Sequence, residues 1–124
     1  LHSFPTRRSS DQCSILFTGD IEKVAEEKII RKYKETEKLK SNILKVAHHG
    51  SKSSSIQQFL EMVKPEIALI GVGEKNTFGH PNGEVLERLN ELGCEIYRTD
   101  LHGEITITIK NGKVNVNKRL DIEK

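Results

Sequence analysis

A chain of 124 residues, 35% hydrophobic and 31% charged, is long enough for one globular domain with a buried core. The balance of 20 basic against 18 acidic residues leaves a net charge of +2. That excludes the strongly basic footprint of a tight nucleic-acid binder, though not a local groove or a metal-mediated contact with phosphate. No apolar run approaches the ~20 residues of a membrane-spanning helix, and two cysteines, Cys13 and Cys94, make no disulfide framework.

In chain order, the opening "LHSFPTRRSSD" (Leu1 to Asp11) has neither the apolar stretch of a secretory signal nor any periodicity. It closely resembles a translated sequencing-adapter remnant, so residues 1–11 are expected to be a non-native leader and 12–124 the domain proper. "CSILF" (Cys13 to Phe17) reads as a buried strand that ends in the turn Thr18-Gly19-Asp20. Ile21, Val24, Ala25, Ile29 and Tyr33 then share one face of a helix, with Glu and Lys on the other. The charged "KETEKLK" that follows is expected to be solvated. "ILKVA" (Ile43 to Ala47) is a second strand. Ser55 and Gln58 have capping-box spacing before a helix that carries Ile56, Phe59, Leu60 and Val63 and stops at Pro65.

"IALIGVG" (Ile67 to Gly73) is a third apolar strand, and the loop "EKNTFGHPNGE" leads into a helix with Val85, Leu86, Leu89 and Leu92 inside. Gly93 sits where a left-handed cap belongs. "CEIYR" and the alternating "GEITITIK" are strands, and Asn111-Gly112 is a two-residue hairpin signal before "KVNVN". Cys13 and Cys94 both fall in apolar, strand-like settings that suit small core residues. The order β-α-β-α-β-α-β-β-β predicts a layered α/β domain.

Three polar clusters fall just beyond predicted strand ends: Asp20, the pair His48/His49, and His80. Ligands of α/β folds collect at that edge of the sheet, so neighbouring strands would bring these groups into one cleft. Convergent carboxylate and imidazole suit zinc, manganese or iron, and such an ion can acidify a bound water. Each group also has a plainer reading. Asp20 has the place of a helix N-cap, and His80 stands before Pro81 as a helix-opening residue with proline at N1. Alternation along a strand would turn only one of His48 and His49 toward the cleft. "GSKSSS" (Gly50 to Ser55) could hold a phosphate oxygen on helix-start N–H groups beside Lys52, or be a capped loop. Asp100 and His102 in "YRTDLHGE" look like hairpin-turn residues.

"LFTGDIE", "LKVAHHGSKSSS", "IALIGVGEKNTFGHPNGEVLERL" and "EIYRTDLHGEI", in that order, resemble the metallo-β-lactamase-fold domain of ComEC-type competence (DNA-uptake) proteins. The likeness runs from about Cys13 to about Val116. It implies the second half of a four-layer αββα sandwich. It further implies Asp20 as a metal-bridging ligand, His80 as the last histidine ligand, and His48 as a ligand with His49 beside it as the catalytic histidine. Two divalent ions, zinc or manganese, would act on a phosphodiester, single-stranded DNA being the implied partner, with Ser51 and Lys52 binding substrate. If fused to a channel, such a domain lies on the extracytoplasmic face of the membrane.

The family's H-x-H-x-D-H motif has no counterpart here; His2 stands alone in the leader. The 124 residues are therefore expected to need the N-terminal half of the same domain, to bind metal poorly and catalyse little alone, and to expose a sheet face. Two other readings stand beside the nuclease. One is a metallo-hydrolase of a small phosphoester, thioester or lactone. The other is a catalytically inactive binding module whose Asp and His are caps and turn residues.

Overall fold

Four short apolar segments form parallel strands, β1 (Ile15–Phe17), β2 (Ile43–Lys45), β3 (Ile67–Ile70) and β4 (Glu95–Arg98), hydrogen-bonded in the order β1-β2-β3-β4. The computed structural model describes residues 13–72, 80–111 and 113–119, with His48 described by its backbone alone. The expected leader at residues 1–11, loop residues 73–79 and Gly112 lie outside the described residues. Parallel neighbours need a crossover. Here helices α1 (Lys23–Tyr33), α2 (Gln57–Val63) and α3 (Gly83–Glu91) supply all three. The architecture is thus α/β, with a parallel four-stranded sheet.

Register decides which side chains meet the helices. Leu16, Leu44, Ala68 and Ile96 are paired across the sheet, and they join Phe59, Leu60, Val63, Val85 and Leu89 of the helices in one core. The alternate row, Phe17, Lys45, Leu69 and Tyr97, turns to the opposite face. Phe17 is 48% exposed there, and Leu69 and Tyr97 are half-buried.

Two expectations about burial are corrected. In α1 the buried stripe runs through Glu26, Ile29, Ile30 and Tyr33, at i, i+3, i+4 and i+7. The helix begins at Lys23 and its inner face is turned away from Val24, which is 65% exposed, while Glu26 is fully buried. The charged segment after α1 is mostly exposed as expected, yet Leu39 reaches the core and is 1% exposed.

After β4 the chain does not turn directly into a hairpin. Thr99–His102 forms a single helical turn, α4, so Asp100 and His102 are helical rather than hairpin-turn residues. Strands β5 (Ile105–Lys110) and β6 (Lys113–Lys118) then pair antiparallel as a separate two-stranded sheet. Asn111 takes φ +53° between the paired Lys110 and Lys113, the left-handed geometry a two-residue turn demands. Gly93, at φ +78°, caps α3 as its place in the sequence predicted.

A candidate catalytic edge at the strand ends

The C-terminal ends of adjacent strands are locked to one another by a few named bonds. Thr18, buried just past β1, donates its hydroxyl to the Lys45 carbonyl at 2.6 Å, so the ends of β1 and β2 are held together. Gly19 follows with φ +60°, and Asp20 stands exposed in that turn. Its carboxylate makes no hydrogen bond to a described residue. Asp20 is therefore not the N-cap of α1: Glu22 holds that position, and no side chain caps it.

The histidine pair is not on a strand. Residues Ala47–Gly50 form a 3-10 turn, so strand alternation does not decide between His48 and His49. The His48 side chain lies outside the described residues. His49 is exposed, at φ +55°, and its Nδ1 is 2.5 Å from the Gly71 carbonyl at the end of β3. A carbonyl only accepts, so Nδ1 carries the proton and Nε2 holds the lone pair in the neutral ring. Metal-ligating and general-base histidines share this arrangement. A Cβ on Gly71 would come within 3.1 Å of Lys45 Nζ, which places an ammonium group beside the same carbonyl-bearing residue.

Gly50 closes the turn at φ +81°, and it must be glycine for a second reason. A Cβ there would lie 2.6 Å from Cβ of Pro81. Its carbonyl accepts the Asn82 N–H at 2.8 Å. The His49-Gly50 and His80-Pro81-Asn82 segments, thirty positions apart in sequence, are in direct contact. Pro81 is not at N1 of α3; Asn82 is the N-cap, its Oδ1 accepting the Glu84 N–H at 2.9 Å. His80 is half-buried, joined to Pro81 by a cis peptide bond.

The "GSKSSS" loop spans from this turn back to the Asp20 turn. Ser54 donates its hydroxyl to the Ile21 carbonyl, and the Ser53 carbonyl accepts the Lys23 N–H at 2.8 Å. Ser51 is buried, with its Oγ 2.9 Å from the Ser53 hydroxyl, while Lys52 is exposed. One reading of this loop is overturned. Ser55 does not form a capping box: it sits at φ +57°, and Ile56 is the N-cap of α2, with no side-chain bond of its own. The two N–H groups just before α2 are already taken. The Glu26 carboxylate accepts from Ser55 N–H at 2.6 Å and from Ile56 N–H at 2.9 Å. Burial pushes the Glu26 pKa up from the ordinary carboxylate range, opposed by those two hydrogen bonds and by the Arg88 charge. Arg88 also donates through Nη1 to the Ser55 carbonyl at 2.9 Å.

The chain is 36% identical over 98 residues to ComE operon protein 3 of Bacillus subtilis, a match covering 79% of this chain and 12% of that protein. It is 35% identical over 105 residues to Competence protein ComA of Neisseria gonorrhoeae, covering 85% of this chain and 15% of that one. Recombination protein 2 of Haemophilus influenzae is 30% identical over 103 residues, with 83% and 12% covered. Competence-related proteins are its homologues. The chain spans only 12% to 15% of the length of these relatives. No family model matches it, and no solved structure matches it.

Asp20, His49 and His80 thus stand on three segments that Thr18, the serine loop and the Gly50–Pro81 contact draw to one edge. Among the described residues no three His, Cys, Asp or Glu side chains are grouped to hold a metal ion. Asp20 offers an exposed carboxylate with no hydrogen bond to a described residue, and His49 an imidazole whose proton sits on Nδ1. Residues that sequence reasoning passed over do most of the positioning. Thr18, Glu26, Gly50 and Asn82 are such residues, and only Asn82 carried a readable signal, an Asn immediately before a helix. Cys94 is buried, its thiol 3.1 Å from the Pro65 carbonyl and its pKa raised by burial, as a core cysteine should be; Cys13 is half-buried.

Proposed function

We propose that this segment is the second half of a metallo-β-lactamase-like αββα domain, and that the complete domain hydrolyses DNA phosphodiesters during DNA uptake. The observation that carries the reading is the contact of the His49-Gly50 turn with His80-Pro81-Asn82 at the C-terminal sheet edge, beside the exposed Asp20. Homology to competence-related proteins supports DNA as the substrate class. The apolar sheet face that carries Phe17, Leu69 and Tyr97 supports a second layer from the remainder of the protein.

In this reading Asp20, His48 and His80 contribute ligands to two divalent ions, zinc or manganese, and an H-x-H-x-D-H segment outside this chain contributes the others. Bound there, such ions acidify water and offset phosphate charge. His49, with its proton held on Nδ1 by the Gly71 carbonyl, presents Nε2 as a proton acceptor, and Lys52 stands exposed to steady a phosphate oxygen. Ser51 acts by shaping the loop that carries Lys52.

The test uses the natural gene product that contains this segment, purified and incubated with labelled single-stranded DNA and added Mn²⁺ or Zn²⁺. Metal-dependent cleavage that falls at least ~100-fold in Asp20→Ala and His80→Ala, with folding intact, is expected from loss of a ligand or an essential group. Cleavage insensitive to both substitutions and to chelation would sink the reading. Hydrolysis of a small phosphodiester without cleavage of DNA would move the activity to small esters.

A further inference from the structure

We propose that the cleft between α3 and β4 is a subsite for a nucleotide phosphate, gripped by Nε2–H of His102, Nη1 of Arg98 and the ammonium of Lys118. The cleft holds about 580 Å³, within the range that takes small ligands, and Pro81, Asn90, Tyr97, Arg98, His102 and Lys118 are among its lining residues.

The argument starts from His102. Its side chain lines the cleft yet the residue is only 6% exposed. The Arg98 backbone N–H donates to Nδ1 at 3.0 Å, so the lone pair lies on Nδ1 and the ring proton on Nε2. Nε2 makes no hydrogen bond to a described residue. Nε2–H therefore opens onto the cleft rather than onto a protein acceptor, and a ligand acceptor can meet it there.

Arg98 is prepared in the same way. Asp100 accepts from Nε at 3.0 Å and from Nη2 at 2.7 Å, which holds the guanidinium in one plane and leaves Nη1 uncommitted among the described residues. Lys118 reaches the same cleft from β6, its ammonium 5.7 Å from the Tyr97 ring centre. Two cations and an imidazole N–H suit phosphate, which offers several strong acceptor oxygens to separated donors. Glu95 also lines the cleft, its carboxylate accepting the Tyr97 hydroxyl at 2.8 Å. Leu86 and Ile96 give that phosphate's sugar or base an apolar wall.

The place of the cleft ties it to the strand-end edge. Pro81 lines the cleft on one side and packs against Gly50 on the other. Thr99 accepts the Val72 N–H and donates to the Val72 carbonyl, both at 2.8 Å, which fixes the start of α4 to the end of β3. A nucleotide here is a neighbour of the residue scission would engage. The choice of nucleotide phosphate rests on the DNA reading above, but binding needs no metal.

Isothermal titration calorimetry of the natural gene product that contains this segment, in excess EDTA, tests this. The probes are thymidine, thymidine 5′-monophosphate and a six-residue oligothymidylate. The monophosphate should bind and thymidine should bind at least about tenfold more weakly, the loss expected when hydrogen bonds to a charged group are missing. Lys118→Met removes an ammonium from a partly exposed strand position. His102→Asn keeps an acceptor for the Arg98 N–H while deleting Nε2–H. Each should weaken the monophosphate about tenfold and leave thymidine unchanged. Tighter binding of the oligomer assigns a strand phosphate as the natural ligand; tighter binding of the monophosphate assigns a free nucleotide. Equal binding of thymidine and its monophosphate, no binding at millimolar concentration, or wild-type affinity in both variants overturns the subsite. Binding in EDTA with no DNA cleavage by the natural product overturns the nuclease and leaves the subsite standing.

Discussion

The turn after β1 and the loop after β2 lie side by side and look alike in sequence, each a short polar run closing an apolar strand. Physically they are opposites. After β2 the loop is clamped: Glu26, fully buried, takes two backbone N–H groups, and Ser51, Ser53 and Ser54 are all engaged. After β1 the Asp20 carboxylate is exposed and bonded to no described residue. One acid is spent on scaffold and the other faces solvent. The difference teaches that a carboxylate's role at a sheet edge follows from what it has already bound, which sequence position does not reveal.

Substitutions can break that contrast. Glu26→Ala should cost the most, about 3 kcal/mol, because it strands two backbone donors in a buried setting. Urea unfolding of wild type and variant checks it, and a loss below ~1 kcal/mol would mean that water replaces the carboxylate easily. The same group sets a pH trend. Its folded-state pKa is raised above the ordinary value of 4.5, so the folded state holds the proton over a range where the unfolded state has lost it. Its contribution to stability therefore falls as pH rises from the ordinary carboxylate range up through the raised pKa. Denaturant midpoints measured across that window should decline in wild type more than in Glu26→Gln.

Gly50→Ala is next, at about 2 kcal/mol, since the new Cβ meets Pro81 and the backbone sits at φ +81°. If the proposed site needs the contact between the two histidine segments, activity of the natural product should fall further than stability does. Asn82→Ala removes the α3 N-cap and should lower stability by ~1 kcal/mol, read as a shift in thermal midpoint. Asp20→Ala should change stability least, by no more than about 0.5 kcal/mol, while abolishing metal-dependent cleavage. A large stability loss there would make Asp20 one more structural acid and erase the contrast.

Much of the fold was legible from period and punctuation. Three helices and the six strands stand where apolar spacing put them, and Asn111 and Gly93 turn the chain as their residue types require. Parallel order β1-β2-β3-β4 is what lets Asp20, His49 and His80 share one edge. The failures are equally physical. Glu26 was placed on the wet face of α1 because an acid is rarely buried unless its bonds are met, and the N–H groups that meet them lie about thirty residues later. Ser55 fit a capping box, yet it sits at φ +57° with its own N–H bonded to Glu26, and Ile56 became the N-cap. Leu39 looked solvated amid charges, and the core still took it.

By itself, then, the amino-acid order determined the α/β alternation, the apolar faces and the turns, because these depend on contacts within a few residues. Which polar groups were consumed and which remained was decided only by tertiary structure. Thr18 with Lys45, His49 with Gly71, Gly50 with Pro81 and Glu26 with Ser55 each join residues more than twenty positions apart. No local rule reports such pairings, since a hydrogen bond is settled by where its partner lies in space.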